Sequence, residues 1–439
     1  MTGETSSLQM KSDCIYNGGH LYIHIPFCRY RCDYCDFFTR TGVSSDRQSR
    51  IIQRITEQGG AWVGDSSQLT TVYIGGGTPS ALSRDDLNRL LSYTETLGSD
   101  RTERTVELNP EDVTPTLLHE LVRHRVNRIS LGVQTLSAVS LKTIGRHTSH
   151  SDTLRETLRG LETVASGWNG RWSADIIVAI PGTTADSAEG DIRRLMEFAP
   201  PHVSLYELGI EPNTVLGLKT RRGTVRPVAE DDALEQLERS ADVLAEYGLR
   251  RYEISSFARP GDESRHNLAY WRMAPHLGIG PGAVGTYRPV HIKGFTPRGF
   301  DSDGLASDGL ASDGFASTGM TRVTNTRSFK NFLDREDFGV QQEPISRIEE
   351  AEELVMMGLR TVFGVDRDRF RRVTGHTFED ICGPTIAAWP DAFDLTDPTT
   401  VRLKTPAWNR LDAVLVDLFT DFTDFTDVGF TDVDKFVDQ

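Results

Sequence analysis

Short apolar runs alternate with longer amphipathic stretches through the first half of the chain. Residues 21–27, 71–75, 105–109, 128–134, 175–180 and 203–208 are runs of strand length bounded by polar or turn-forming residues. Between them, residues 47–62, 84–97, 115–125, 153–165 and 189–198 place apolar positions at helical spacing. Thr114-Pro115 reads as an N-cap followed by proline at the first helical position. A further helix is predicted over 231–247. Alternation of this kind builds a parallel sheet with helices outside it. The second half is less regular, with helices predicted at 349–362 and 408–418. Residues 302–319 read SDGLASDGLASDGFASTG, a period-five run. Its Gly, Ser and Asp content cannot bury enough surface to fold alone, so a disordered insertion is expected. Beyond Leu418 the chain is acidic and repeats Phe-Thr-Asp. Disorder is the default reading there, although its phenylalanines could dock.

Each strand run ends in unusual chemistry. Cysteines follow the first, Gly75-Gly76-Gly77-Thr78 the second, and Glu107-Leu108-Asn109-Pro110 the third. Gly132-Val133-Gln134 closes the fourth, the fifth runs from Asp175 to Pro181-Gly182, and the sixth carries Tyr206-Glu207. Parallel barrels collect their active sites at the C-terminal ends of the strands. A six-stranded partial barrel would therefore bring these scattered motifs together.

Cys28, Cys32 and Cys35 have the spacing C-x3-C-x2-C. Three thiolates can hold three irons of a four-iron cluster and leave the fourth open to a small molecule. Radical enzymes that use S-adenosylmethionine place such a trio just after a first strand, and the cofactor chelates the open iron. The alternative is a zinc site completed by His24 or Asp36. Structural zinc sites usually pair C-x2-C modules, and the chain has no second pair. Cys14 and Cys382 stand alone and read as spare or buried thiols. The triple glycine either lets backbone approach a ligand or makes a tight turn. Glu107 and Gln134 could bind a ribose hydroxyl or an ammonium group. Arg146 could grip a carboxylate with both arms of its fork. Asp175 heads an apolar strand, where an unpaired charge is costly. Singly, each is more readily a salt bridge or a cap; arriving in order at strand ends, they favour a cofactor site. A second cluster, Arg265-His266-Asn267-Leu268-Ala269-Tyr270-Trp271, precedes the glycine-rich turn at 277–282. Imidazole can ligate haem iron and aromatic rings stack on a macrocycle. A lone histidine beside asparagine is more often a hydrogen-bonded structural residue than a ligand.

Composition narrows the class. With 439 residues the chain allows two or three domains, and its net charge of −15 argues against a general nucleic-acid binder. No apolar run approaches transmembrane length, and the first residues show no apolar signal region. Few cysteines, three of them clustered, suit a reducing cytoplasm rather than a disulfide framework.

The motifs LYIHIPFCRYRCDYCDF, YIGGGTPS, ELNP, RISLGVQT, IGRHT, DIIVAIPG, SLYELGIEPNT, RYEISSFA and RHNLAYW occur in the order seen in the HemW family. That family is the haem-chaperone branch of proteins related to oxygen-independent coproporphyrinogen III oxidase. EELVMMGLRTVFGV resembles its C-terminal domain. The resemblance covers roughly residues 18–295 and 323–418 and is specific as a set. It implies an α/β fold, a radical-SAM partial barrel with a mostly helical C-terminal domain. The expected division is an N-terminal tail at 1–17, the barrel at 18–250, and the His266 and glycine-rich segment at 251–301. The low-complexity insertion (302–322), the C-terminal domain (323–418) and the acidic tail (419–439) follow.

By position, the resemblance assigns a [4Fe-4S] cluster to Cys28, Cys32 and Cys35. It assigns S-adenosylmethionine contacts to Tyr22, Tyr34, Gly76, Gly77, Thr78, Glu107, Gln134, Arg146 and Asp175. His266, Asn267, Tyr270 and Trp271 become candidates for binding haem. The implied function is a chaperone that binds haem and transfers it to an unidentified acceptor protein, which could sit in a membrane; a homodimer is left open. The oxidases carry a further cysteine two residues after the third ligand, where this chain has Phe37. That difference argues against coproporphyrinogen decarboxylation, which stays as the alternative. The family pattern Gly-Ala-His reads Gly282-Ala283-Val284 here, so a role for that histidine does not carry over.

Overall fold

The computed structural model describes residues 19–63, 69–146, 152–287 and 320–429. Cys14 and the period-five run lie outside the described residues. The strands of the main sheet are β1 (Gly19–Ile25), β2 (Leu69–Gly76), β3 (Glu103–Leu108), β4 (Arg128–Gln134), β5 (Arg171–Val178) and β6 (His202–Glu207). They continue with β7 (Arg250–Arg251), β8 (Ser256–Ala258), β9 (His276–Ile279), β10 (Val284–Tyr287), β11 (Thr321–Thr324) and β12 (Gln341–Pro344). Their order is β12-β11-β10-β9-β1-β2-β3-β4-β5-β6-β8-β7. The six expected strands pair in parallel from β1 to β6. The sheet is wider than six because β9 adds in parallel to the free side of β1, and antiparallel strands cover both edges. Edge strands of this kind hide backbone groups that the six would leave open.

Helices α1 (Ser45–Trp62), α2 (Arg84–Glu95), α3 (Pro115–Arg123), α4 (Ala138–Thr143), α5 (Thr153–Gly167), α6 (Ala185–Met196), α7 (Val215–Arg221) and α8 (Glu230–Glu246) follow the strands. Thr114 accepts from Leu117 N–H with Pro115 behind it, as its sequence implies. The sixth helix begins at Ala185, four residues before the expected 189, because Thr184 and Ser187 form a reciprocal capping box. On the outer face of the sheet, Ile23, Val72, Val106, Ile129 and Val203 are buried with helix residues such as Ile51, Leu90, Leu121, Leu161 and Ile192.

Period-two alternation sends the polar residues to the concave face. His20, Tyr22 and His24 alternate with Leu21, Ile23 and Ile25; Glu103, Thr105 and Glu107 alternate with Arg104, Val106 and Leu108. Arg128, Ser130, Ser173, Asp175, His202 and Ser204 continue the same face on the next three strands. Barrel interiors are usually filled by branched aliphatic layers. Here a buried polar network takes their place. Helix α9 (Arg265–Trp271) closes its floor at the N-terminal ends of the strands, capped by Ser264, which accepts from Asn267 N–H.

The C-terminal part carries α10 (Phe329–Asp334), α11 (Arg347–Gly358), α12 (Arg367–Thr374), α13 (Phe378–Ala388) and α14 (Leu411–Gly429), with a small three-stranded sheet. Two expected boundaries move. Residues 323–344 belong to the barrel: β11 and β12 extend its sheet, and Phe332 and Phe338 enter its core. The insertion's expected end at 322 accordingly falls inside β11. The expected tail does not begin at 419, because α14 continues to Gly429 and buries Phe422 completely. The Phe-Thr-Asp repeat puts Phe419, Phe422 and Phe425 three residues apart, and all three reach the C-terminal core with Leu354, Phe370, Phe378 and Trp408. Cys382 is fully buried in that core, as a spare thiol would be. Backbone bonds join the two parts, from Ile254 N–H to Arg360 O (2.8 Å) and from Val362 N–H to Tyr252 O (3.1 Å).

Candidate functional site

A cleft of about 340 Å³ opens at the C-terminal ends of β1–β6. Cys28, Cys32, Cys35, Tyr34, Gly76, Gly77, Thr78, Glu107, Gln134, Arg146 and Asp175 all line it. Eleven of the twelve residues assigned to cluster or S-adenosylmethionine thus meet in one place, spread over 148 positions of sequence (from 28 to 175). Tyr22 is the exception. It lies deeper in the barrel, with its hydroxyl 2.9 Å from His24 Nδ1 and its ring beside Tyr73.

The cysteine loop is pinned along its length. Cys28 N–H donates to Arg40 O (3.1 Å), Asp33 N–H to Ile144 O (2.9 Å), and Leu216 N–H to Asp33 O (2.8 Å). Lys219 pairs with Asp33 at 2.5 Å. Glycines are required beside it. Gly76 has φ +103°, and a side chain there would strike the His24 ring. A Cβ on Gly77 would stand 2.5 Å from Phe27 O, because Gly77 and Thr78 N–H bond to Ile25 O and Phe27 O. The triple glycine thus lets β2 close onto the root of the cysteine loop as well as onto the cleft.

Burial raises all three thiols, Cys32 to about 11, so each is protonated until a metal displaces its proton. Thr78 Oγ1 donates to Cys28 Sγ at 3.5 Å. Among the described residues no three His, Cys, Asp or Glu side chains gather around a single ion. A four-iron cluster asks for something different, one thiolate per iron. His24 cannot complete a zinc site as it stands, since Nε2 bonds to Phe38 O (2.9 Å) and Nδ1 to Tyr22. Asp36 points into solvent.

The polar wall is organised around three ionisable groups, Glu107, Asp175 and Arg146. Glu107 accepts from Tyr73 Oη (2.8 Å) and Gly76 N–H (2.9 Å), yet burial still pushes its carboxyl up to about 7. Asp175 is also raised by burial and accepts from Ser130 Oγ at 3.0 Å. Arg146 is almost completely buried. Burial opposes its charge, but the facing Cys32, Tyr30, Tyr34 and Glu111 hold its proton more firmly than usual. It donates to Asn109 Oδ1 at 2.8 Å, and its Nε has no hydrogen bond among the described residues. A buried donor left open in this way suits an anionic group on a ligand. Gln134 sits at φ +70°, where the β4–β5 register slips between Gly132 and Gln134. The bulge re-aims its amide into the cleft at the expense of local strain. Residues that the motifs did not single out complete the wall. Tyr30 donates to Glu111 at 2.6 Å, and Tyr73, Asn109 and Arg128 line the cleft. Asn109 was visible in the ELNP motif; Tyr73 shares the concave period of its strand. Phe37 sits at the cleft's edge, 70% exposed.

The second cluster lies at the other end. His266 is 1% exposed in the barrel floor. Its Nδ1 meets Thr71 Oγ1 at 2.6 Å, Nε2 meets Tyr270 Oη at 3.0 Å, and its backbone N–H donates to Glu103 at 3.1 Å. Asn267, Tyr270 and Trp271 face a separate cavity of about 360 Å³ between α9, the β9–β11 edge and α11. Its wall is overwhelmingly apolar and includes Met273, Met320 and Met357. Asn267 touches both cavities. Val284 sits 41% exposed on β10.

The parallel strands, their cysteine loop and the cleft above them define a radical SAM protein. The model of the Radical SAM superfamily matches residues 22–195, and that of the HemN C-terminal domain matches residues 345–389. Such a domain implies a [4Fe-4S] cluster and S-adenosylmethionine. Coproporphyrinogen III oxidase (HemN) from Escherichia coli, a radical SAM enzyme, shares the fold with a TM-score of 0.68 at 17% identity, over 95% of this chain and 93% of that one. The heme chaperone HemW of Lactococcus lactis is 33% identical over 367 residues, 83% of this chain and 87% of that protein. HemW of Escherichia coli is 36% identical over 272 residues, 60% of this chain and 69% of that protein. The chain belongs to the HemW family. Among the described residues no helix is long and apolar enough to cross a membrane.

Proposed function

We propose that this protein binds haem and passes it to an acceptor protein, with a [4Fe-4S] cluster on Cys28, Cys32 and Cys35 and S-adenosylmethionine beside it. The observation that carries this reading is the presence of two unlike cavities on one chain. One is polar and lined by three thiols. The other is apolar and walled by Asn267, Tyr270 and Trp271, as a flat hydrophobic ring requires. When bound, the cluster supplies a single electron and an iron open to the cofactor. The chain's own residues then bind and orient. Arg146 suits the cofactor's carboxylate. Glu107, Gln134 and Asp175 suit its ammonium and hydroxyl groups, and Tyr34, Gly76, Gly77 and Thr78 shape its bed. Tyr22, away from the cleft, supports that bed through His24.

Phe37 replaces the cysteine that marks the oxidases, which weighs against porphyrinogen decarboxylation. A reducing cytoplasm keeps the thiols available for iron. The acceptor, in a membrane or not, and any homodimer belong to this same reading. The test is anaerobic reconstitution with iron and sulfide, followed by haem titration and a decarboxylation assay on one sample. Haem uptake and handover to an apo-haemoprotein are expected, without protoporphyrinogen. Protoporphyrinogen formed from coproporphyrinogen III with reductant and S-adenosylmethionine would reverse the assignment.

A further inference from the structure

Resting on the haem-binding reading above, we propose that the iron of the bound porphyrin is ligated by His276 in the cavity beneath the barrel, and that His266 is a positioning residue. His266 has no free nitrogen: Thr71 and Tyr270 occupy both ring positions, in a site 1% exposed. Ligation there would break two buried hydrogen bonds and unpack the barrel floor.

His276 is arranged in the opposite way. It starts β9, lines the cavity, and packs edge-on against Tyr270 with ring centroids 4.5 Å apart. Its Nδ1 lies 3.2 Å from Ala274 O. A carbonyl only accepts, so Nδ1 carries the proton and Nε2 keeps its lone pair, the form in which imidazole binds metals. Burial lowers this ring to about 4, so it is neutral near pH 7. The remaining wall matches a metalloporphyrin. Met273, Met320 and Met357 present soft thioethers and pliant apolar surface. Trp271 offers an indole face, and its buried Nε1–H has no hydrogen-bond partner among the described residues. Arg322, partly exposed and paired with Glu353, supplies a cation for a carboxylate edge. His266 then has a defined task, since its bond to Tyr270 Oη fixes the ring against which His276 leans.

The test uses the full chain with its cluster reconstituted. Haemin is titrated anaerobically into wild type, H276A and H276Q, and the Soret band and low-temperature electron paramagnetic resonance are recorded. The cluster absorbance and the far-ultraviolet circular dichroism serve as folding controls in each variant. Wild type is expected to show a nitrogen-ligated iron. H276A and H276Q are expected to lose that signature and at least tenfold in haem affinity, and added imidazole should restore the spectrum of H276A. An unchanged spectrum in both variants would overturn the proposal, as would loss of the signature in H266N with H276A intact. Failure of wild type to take up haem at all would overturn the haem-binding reading and this assignment together.

Discussion

The cleft above the sheet and the cavity below it differ in nearly every physical respect. The upper one is walled by ionisable groups, almost all of them restrained by hydrogen bonds: Glu107 by Tyr73 and Gly76, Asp175 by Ser130, Arg146 by Asn109. The lower one is lined chiefly by thioethers and aromatic rings, with Asn267, His276 and the Arg322–Glu353 pair among them. A ligand with ammonium, carboxylate and hydroxyl groups is read by the first kind of wall; a flat apolar ring is read by the second. On the proposed reading, the contrast would let one chain hold two unlike ligands without cross-binding, because each wall leaves the wrong ligand's groups unsatisfied.

The largest effect should separate the two completely. Replacing Cys32 by Ser should abolish the brown cluster absorbance while leaving the haem titration of the S-adenosylmethionine-free protein unchanged; loss of both would break the comparison. Next comes Phe422→Ala. It removes a fully buried ring from the core that anchors α11, which carries Met357 on the lower wall. A loss of about 3–5 kcal/mol in denaturant unfolding is expected, with weaker haem binding and an intact cluster.

Glu107 gives a smaller, pH-dependent effect. Its folded carboxyl sits at about 7, against an ordinary value near 4.5, so the folded chain holds the extra proton between those limits. Stability of the ligand-free protein should therefore fall as pH rises from about 4.5 to 7, by on the order of 3 kcal/mol, and stay reduced above. Glu107→Gln should flatten that slope while lowering S-adenosylmethionine affinity. A slope unchanged by the substitution in thermal melts across pH would refute this. The smallest effect is expected from Asn267→Asp on the shared wall, a several-fold weakening for both ligands in parallel titrations, since about 1 kcal/mol is typical of one altered hydrogen-bonding group.

The upper cleft was readable from sequence because its residues are anomalous where they stand. A single carboxylate, amide or cysteine at the end of an apolar strand can be a salt bridge, a cap or a spare thiol, but a series of them in order is not explained by packing, and the barrel's topology gathers strand ends. Two features there were hidden. The left-handed backbone of Gln134 depends on a register slip against β5, which no local pattern reports. Tyr22 carries the period of the concave face but not the depth at which its ring stops. The lower cavity was hidden for a different reason. Met273, Met320 and Met357 resemble ordinary core residues, and only β9–β11 and α11 packing together leaves space between them. His266 is the instructive case. Its neighbours in the motif line the cavity, while the histidine turns into the floor to meet Thr71 on β2. The continuation of the helix at 411–429 beyond Leu418 is hidden in the sequence because acidic residues between phenylalanines look like a solvated tail, although their spacing of three places the rings on one helical face.

Asn267 belongs to the wall of both cavities, and this has a thermodynamic consequence. Two ligands that press on one side chain from opposite sides are linked, and the linkage is symmetric: whatever factor S-adenosylmethionine changes in the affinity for haem, haem changes in the affinity for S-adenosylmethionine. On the proposed reading, the short helix that carries Asn267 would be a partition through which occupancy of one chamber is felt in the other. Loading and release of the cargo would then be set by the state of the cofactor side, with no contact between the two ligands.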